Sequence, residues 1–296
     1  MTADETVAWE QGQRRWAVPA AAIAGALPLV GAMIVSIGFH NAPSNRVGLL
    51  MYFNDHTAAL IGASALLAIG AIGLAGALMF LYRAVRARET PEGRKLPRFT
   101  PYLIGVGAGL YALTGNLLSA TSPPLGIIAQ VITSDRAGKF STQDGQTWQQ
   151  ASDLFKISAL NFVTAGQFLC SILLVASVVF ISLGAMRAGL LSKFMGYVGV
   201  FVGALLLIPI FSSVPIVQAF WLFALAVLFS GRWPNGLPPA WATGEAQPWP
   251  TMQELRGREA ERKGVKRSAP APEPVAAAAP APADPGAARR KRKRKR

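Results

Sequence analysis

Residues Phe194 to Gly231 read FMGYVGVFVGALLLIPIFSSVPIVQAFWLFALAVLFSG, with no charged side chain anywhere in the run. A helix rises 1.5 Å per residue, so about 20 mainly apolar residues cross roughly 30 Å of hydrocarbon. This block is too long for one crossing, and Ser212, Ser213, Val214 and Pro215 interrupt it near its middle. It therefore reads as two short helices joined by a tight turn, covering 194–211 and 214–231. A single bent helix would instead put Lys193 and Arg232 on opposite sides of a membrane.

Charge bias along the rest of the chain decides between the two. Upstream, the charge-free stretches 16–39, 57–82, 101–120 and 158–186 are each long enough to span. Assigning the intervening loops alternately gives one side Arg14 and Arg15, the six cations between Arg83 and Arg98, then Arg187 and Lys193, and everything after Arg232. The other side keeps only Arg46, Arg136, Lys139 and Lys156. Cytoplasmic loops collect Lys and Arg, so the sequence predicts six spans with both termini in the cytoplasm. Every span is helical in this reading, because lipid tolerates only helices or closed barrels and alternating strand patterns are absent.

Composition agrees. Of 296 residues 52% are hydrophobic and only 15% are charged, against about 25% charged in ordinary soluble domains. The fold class is thus an all-α polytopic membrane bundle, not a typical water-soluble enzyme. The first ten residues carry Asp4, Glu5 and Glu10 and the run after them is long, so 1–15 reads as a cytoplasmic segment rather than the start of a cleaved signal peptide. Cys170 is the only cysteine, which excludes an internal disulfide and a cysteine-based zinc site.

Outside the spans, the loop between His40 and His56 ends in Asn54, Asp55 and Thr57, any of which can cap the second helix. Residues 121–153 form the longest outer loop; its apolar part, Leu125 to Ile132, is too short to span and reads as interfacial or re-entrant. From 232 to 268 the chain turns Pro- and Trp-rich, with Pro234, Pro238, Pro239, Pro248 and Pro250 among Trp233, Trp241 and Trp249. That stretch is expected to be non-helical and to lie along the cytoplasmic face, since tryptophan favours headgroups; a proline-rich ligand for an adaptor domain is the sharper alternative. Thr251 with Glu254 then predicts a short polar helix. Residues 269–296 are Ala/Pro-rich and basic, a composition that cannot bury a core and predicts disorder.

No catalytic constellation is visible, and no cofactor or metal site is expected. Asp55 and His56 with His40 fit no metal spacing, and loop polarity explains them. The polar residues within spans are neutral. Asn161, Thr164, Gln167 and Ser171 recur at three- or four-residue intervals, and with Asn116 they form a candidate lining for a small polar cavity. The plainer explanation is interhelical hydrogen bonding. Gly105 with Gly109 and Gly199 with Gly203 are small-xxx-small pairs, read as helix packing within the bundle, with homo-oligomerisation as the sharper option. The terminal run Arg289, Arg290, Lys291, Arg292, Lys293, Arg294, Lys295, Arg296 is a candidate contact for anionic headgroups; nucleic acid, the other polyanion such a run binds, ranks behind.

The stretch SLGAMRAGLLSKFMGYVG, Ser182 to Gly199, resembles the link between two helices in uncharacterised six-helix bacterial integral membrane proteins. There a slightly basic turn precedes an aromatic and glycine-rich span. The resemblance implies architecture and a bacterial plasma membrane, and carries no catalytic residue. The function expected is a non-enzymatic membrane interaction or structural protein, with an unidentified protein partner; the alternative is a passive carrier or channel for a small neutral or weakly polar solute.

Overall fold

The computed structural model describes residues 2–38, 56–89, 96–114, 158–207, 215–234 and 236–249. Among them every regular element is an α-helix: α1 (Ala3–Gly38), α2 (Thr57–Ala87), α3 (Thr100–Thr114), α4 (Ser158–Arg187), α5 (Lys193–Leu207), α6 (Ile216–Phe229) and the single turn α7 (Pro239–Thr243). The helical segments Ala3–Ile34, Thr57–Ala87 and Asn161–Arg187 are long and apolar enough to cross a membrane. The chain divides into Met1–Trp249 and Pro250–Arg296, and all described residues belong to the first unit.

α1 begins well before the expected Trp16. The Glu5 N–H donates to Thr2 Oγ1 at 3.3 Å while the Thr2 N–H donates to Glu5 Oε2 at 2.8 Å, a reciprocal capping box that satisfies two free donors of the first turn. Asp4 and Glu5 in that turn also complement the positive helix end. The helix continues unbroken through Pro19 and Pro28.

Small residues set how the helices pack. A Cβ on Gly70 would lie 2.6 Å from the Pro28 ring, and one on Gly73 would lie 2.7 Å from the Ala20 carbonyl oxygen, so α1 and α2 approach closely and run antiparallel. Gly25 of α1 meets Ala219 of α6, Gly107 of α3 meets Leu173 and Leu174 of α4, and Gly196 of α5 meets Met186 of α4. Leu74, Leu78, Leu81, Leu174, Val178, Ile181, Trp221 and Leu225 fill the core between them.

These contacts gather the start of α1, the end of α2, the start of α3, the α4–α5 turn and the end of α6 at one end of the bundle. Arg14, Arg15, Arg83, Arg86, Arg88, Arg98, Arg187, Lys193 and Arg232 are all the Lys and Arg among the described residues, and each sits at this charged end.

The segment after α6 departs from expectation. It was predicted to be non-helical and to lie at headgroup level, yet it forms α7 and inserts Trp241, 1% exposed, into the end of the bundle. Pro239 is tolerated because it occupies the first turn, where its missing N–H is not needed. Gly244 ends the turn with φ 73°, and a Cβ there would sit 2.3 Å from the Ala3 carbonyl oxygen. Only glycine combines that left-handed backbone with so close an approach. The compact unit runs from Met1 through Trp249 and so includes this segment.

Candidate functional site

Two polar constellations stand out among the described residues. The first is the seam between α3 and α4, where the predicted stripe lies. Gln167 is buried, and its Nε2 donates to the Thr114 carbonyl oxygen at 2.5 Å. Gly166 makes this possible, since a Cβ there would lie 3.0 Å from the Thr114 methyl. Ser171 Oγ and Cys170 Sγ both donate to the Gln167 carbonyl oxygen, at 2.9 and 3.0 Å, and Thr114 Oγ1 donates to Leu110 O at 2.7 Å. The stripe is not one buried face: Gln167 and Ser171 point inward, whereas Asn161 and Thr164 are exposed. Asn116 lies outside the described residues, as do Arg289 to Arg296, His40, Asn54, Asp55 and the predicted helix after Thr251.

The second constellation closes the charged end, and the sequence reading missed it. Glu10 on α1 and Arg88 just after α2 form a buried ion pair, with side chains 1% and 0% exposed. Arg88 Nη1 bonds Glu10 Oε1 and donates to Ala84 O at 2.9 Å. Its Nη2 donates to Glu10 Oε2 at 3.0 Å and to Ala240 O at 2.7 Å, and its Nε donates to Ala240 O at 3.1 Å. All five N–H groups of a guanidinium are thus used. The Trp241 ring lies 5.5 Å from the guanidinium carbon, within cation–π range, and Trp241 Nε1 donates to Leu190 O in the α4–α5 turn at 3.0 Å.

An aromatic cluster backs the pair. Phe80 stacks on Trp241 at 6.0 Å and on Trp9 at 5.7 Å, and meets Phe229 edge-on at 4.8 Å. Trp233 and Trp249 meet edge-on at 6.3 Å, tying the beginning of the docked segment to its end. Gly189, in the α4–α5 turn with φ 71°, lies directly against the Gln247 carbonyl. One network thus joins the N-terminus of α1, the end of α2, the α4–α5 turn and the segment after α6. Chemically it is a fastening: its acid and base are spent on each other and on backbone carbonyls.

Of the glycine pairs, Gly199 packs against Ser182 and Trp221, and Gly203 against Val179. Gly105 and Gly109 have nothing within 4 Å, and Gly107 between them makes the α3–α4 contact instead.

Among the described residues, fold and site together define a helical bundle in which three helices are long and apolar enough to cross a membrane, with a polar seam between α3 and α4 and a buried ionic closure at its charged end. Compared with protein-family models, curated proteins and solved structures, the chain matches none.

Proposed function

We propose that this is a multi-pass protein of a bacterial plasma membrane, with α1 to α6 all crossing and both termini cytoplasmic, acting as a non-enzymatic interaction or structural protein. One observation carries the functional part. The buried seam donors are spent on helix carbonyls: Gln167 bonds across to Thr114 O on α3, which is interhelical glue, and Ser171 and Cys170 bond back to Gln167 O within α4, so they favour a packing seam over a lining that offers hydrogen bonds to a solute. Topology draws support from the antiparallel packing and from the gathering of the described Lys and Arg residues at one end, the end that the positive-inside rule places in the cytoplasm. The basic run Arg289 to Arg296 contacts anionic headgroups in this reading.

The test is crosslinking and affinity purification from native membranes, comparing the full chain with one ending at Ser268. A partner held in constant ratio is expected. One lost on truncation works through the tail, and one retained contacts the bundle or a loop. Recovery of the chain alone in both cases refutes the reading and moves the weight to solute passage, for which liposome flux of the wild type is the readout. A cytoplasm-dependent reporter fused to the C-terminus must be active; silence overturns the topology.

A further inference from the structure

A groove of about 520 Å³ runs between α1 and α2 at the charged end. That volume lies within the roughly 300–1,000 Å³ of sites that hold small molecules. Its walls are apolar, including Ile23, Ile69 and Ile72, and its floor holds Gly73 and Gly76. Those glycines give α2 no side chain there, so the groove follows the helix crossing. At its other end stand Arg83, Gln13, Trp9 and Trp16, with the Arg15 guanidinium 5.8 Å from the Trp16 ring. Among the described residues no carboxylate lines it.

The lining spans Trp9 to Ile23 on α1 and Ile69 to Arg83 on α2, each about 21 Å of helix at 1.5 Å per residue. One leaflet's hydrocarbon is about 15 Å deep, half the bilayer core. The groove therefore has the length of an acyl chain plus the start of a headgroup. Tryptophan and arginine sit where the interface would be, and isoleucine and glycine where the hydrocarbon would be. Ile72 and Trp16, each 66% exposed, present this surface outward, where bulk lipid lies if the helices span.

From this we infer that the α1–α2 groove holds one anionic glycerophospholipid, its acyl chain along Ile23, Ile69, Ile72 and the two glycines and its phosphate at Arg83. Charge complementarity selects the occupant: a zwitterionic lipid fills the same apolar length but adds repulsion from its own cation to the pull of Arg83 on the phosphate. The inference rests on the membrane-spanning reading above and is separate from the role of the basic tail.

The experiment is native mass spectrometry of the full chain, extracted in non-ionic detergent with equal phosphatidylglycerol and phosphatidylcholine. The expected result is one phosphatidylglycerol retained per chain, favoured about fivefold over phosphatidylcholine, the preference one cation supplies near a surface. Arg83→Gln is expected to abolish that preference, and Arg187→Gln, an exposed cation that does not line the groove, to keep it. Ile72→Trp, which fills the groove from an exposed position, is expected to lower retention of both lipids. Equal preference in wild type and Arg83→Gln, or no retained lipid in the wild type, overturns the inference. Alkaline washing of native membranes separates this from the parent reading: a wild type that stays in the membrane but retains no lipid refutes the groove alone, and a wild type that washes off refutes both.

Discussion

Replacing Glu10 with leucine isolates what the ionic closure does. In the native chain Arg88 makes five donor contacts, two of them to Glu10 and three to the Ala84 and Ala240 carbonyls. Glu10→Leu leaves those three, but strands two N–H groups and an uncompensated charge in a position 0% exposed. Breaking one partner of a buried pair costs about 3–5 kcal/mol, a large share of a stability of about 5–15 kcal/mol. Arg88→Met strands the carboxylate and costs a similar amount, about 3–5 kcal/mol, and it also releases Ala240 and the face of Trp241. The double variant removes both charges, and apolar replacement of a whole buried pair is often close to neutral. The two single costs are therefore expected to be strongly non-additive. The assay is a double-mutant cycle by thermal unfolding in detergent, where about 2–4 °C accompanies each kcal/mol in a unit of this size. Maleimide labelling of Ala240→Cys, in a Cys170→Ala background, adds a local readout: protected in the parent and labelled in either single variant. Single costs below about 1 kcal/mol that simply add would refute the reasoning.

Three further outcomes are expected. Trp241→Ala, which empties a fully buried site between Phe80 and Arg88, costs about 3–5 kcal/mol in the same unfolding assay, while Trp241→Phe forfeits mainly the bond to Leu190 O, about 1 kcal/mol. Gly244→Ala costs more than Gly236→Ala: both have positive φ, 73° and 85°, worth about 1–2 kcal/mol of strain, but only Gly244 presses on Ala3, whereas Gly236 has nothing within 4 Å; comparison of their unfolding midpoints checks the ordering. Gln167→Leu lowers stability by about 0.6 kcal/mol, the mean for an interhelical hydrogen bond, and leaves liposome flux of small neutral solutes at the wild-type level.

The helices were legible because lipid demands charge-free runs of a fixed length, and those runs are unmistakable at 57–82 and 158–186. Helix α2 ends just beyond the predicted boundary, at Ala87. What the reading missed was the continuation of a buried stripe past the apolar runs. Leu60, Leu67, Leu74, Leu81 and Arg88 are spaced by seven and all buried, as are Glu10, Ala17 and Ala24 on α1. A repeat of seven keeps one face toward a neighbouring helix, so Arg88 and Glu10 fall on interior faces although their charge marks them as flanking polar residues. Extending the frame of sevens through the charges would have flagged both. Nothing local flags Ala240, which lies 152 residues from Arg88 and contributes only a carbonyl. The polar stripe was half legible: its spacing placed Gln167 and Ser171 together, but the exposure of Asn161 and Thr164 depends on where α3 crosses α4, which spacing does not encode.

The closure also answers a problem that every helix end poses. The last carbonyls of a helix lack intrahelical partners, and here several such ends meet beside a large aromatic cluster. Water could satisfy the carbonyls only by wetting Phe80 and Phe229, which are buried together. Dry donors serve instead: the Trp241 indole of the docked segment bonds Leu190 O beyond the end of α4, and Arg88, just after α2, bonds Ala84 O while holding Ala240 O of the docked segment. Each donor arrives on a side chain whose remaining surface is apolar or aromatic-facing, so satisfying the polar groups and covering the rings are one event. That explains why a proline- and tryptophan-rich sequence follows α6 directly. Proline starts α7 without a free N–H to bury, and tryptophan brings a donor and a large apolar face together. The carboxylate of Glu10 then fixes the guanidinium in the plane that both carbonyls require.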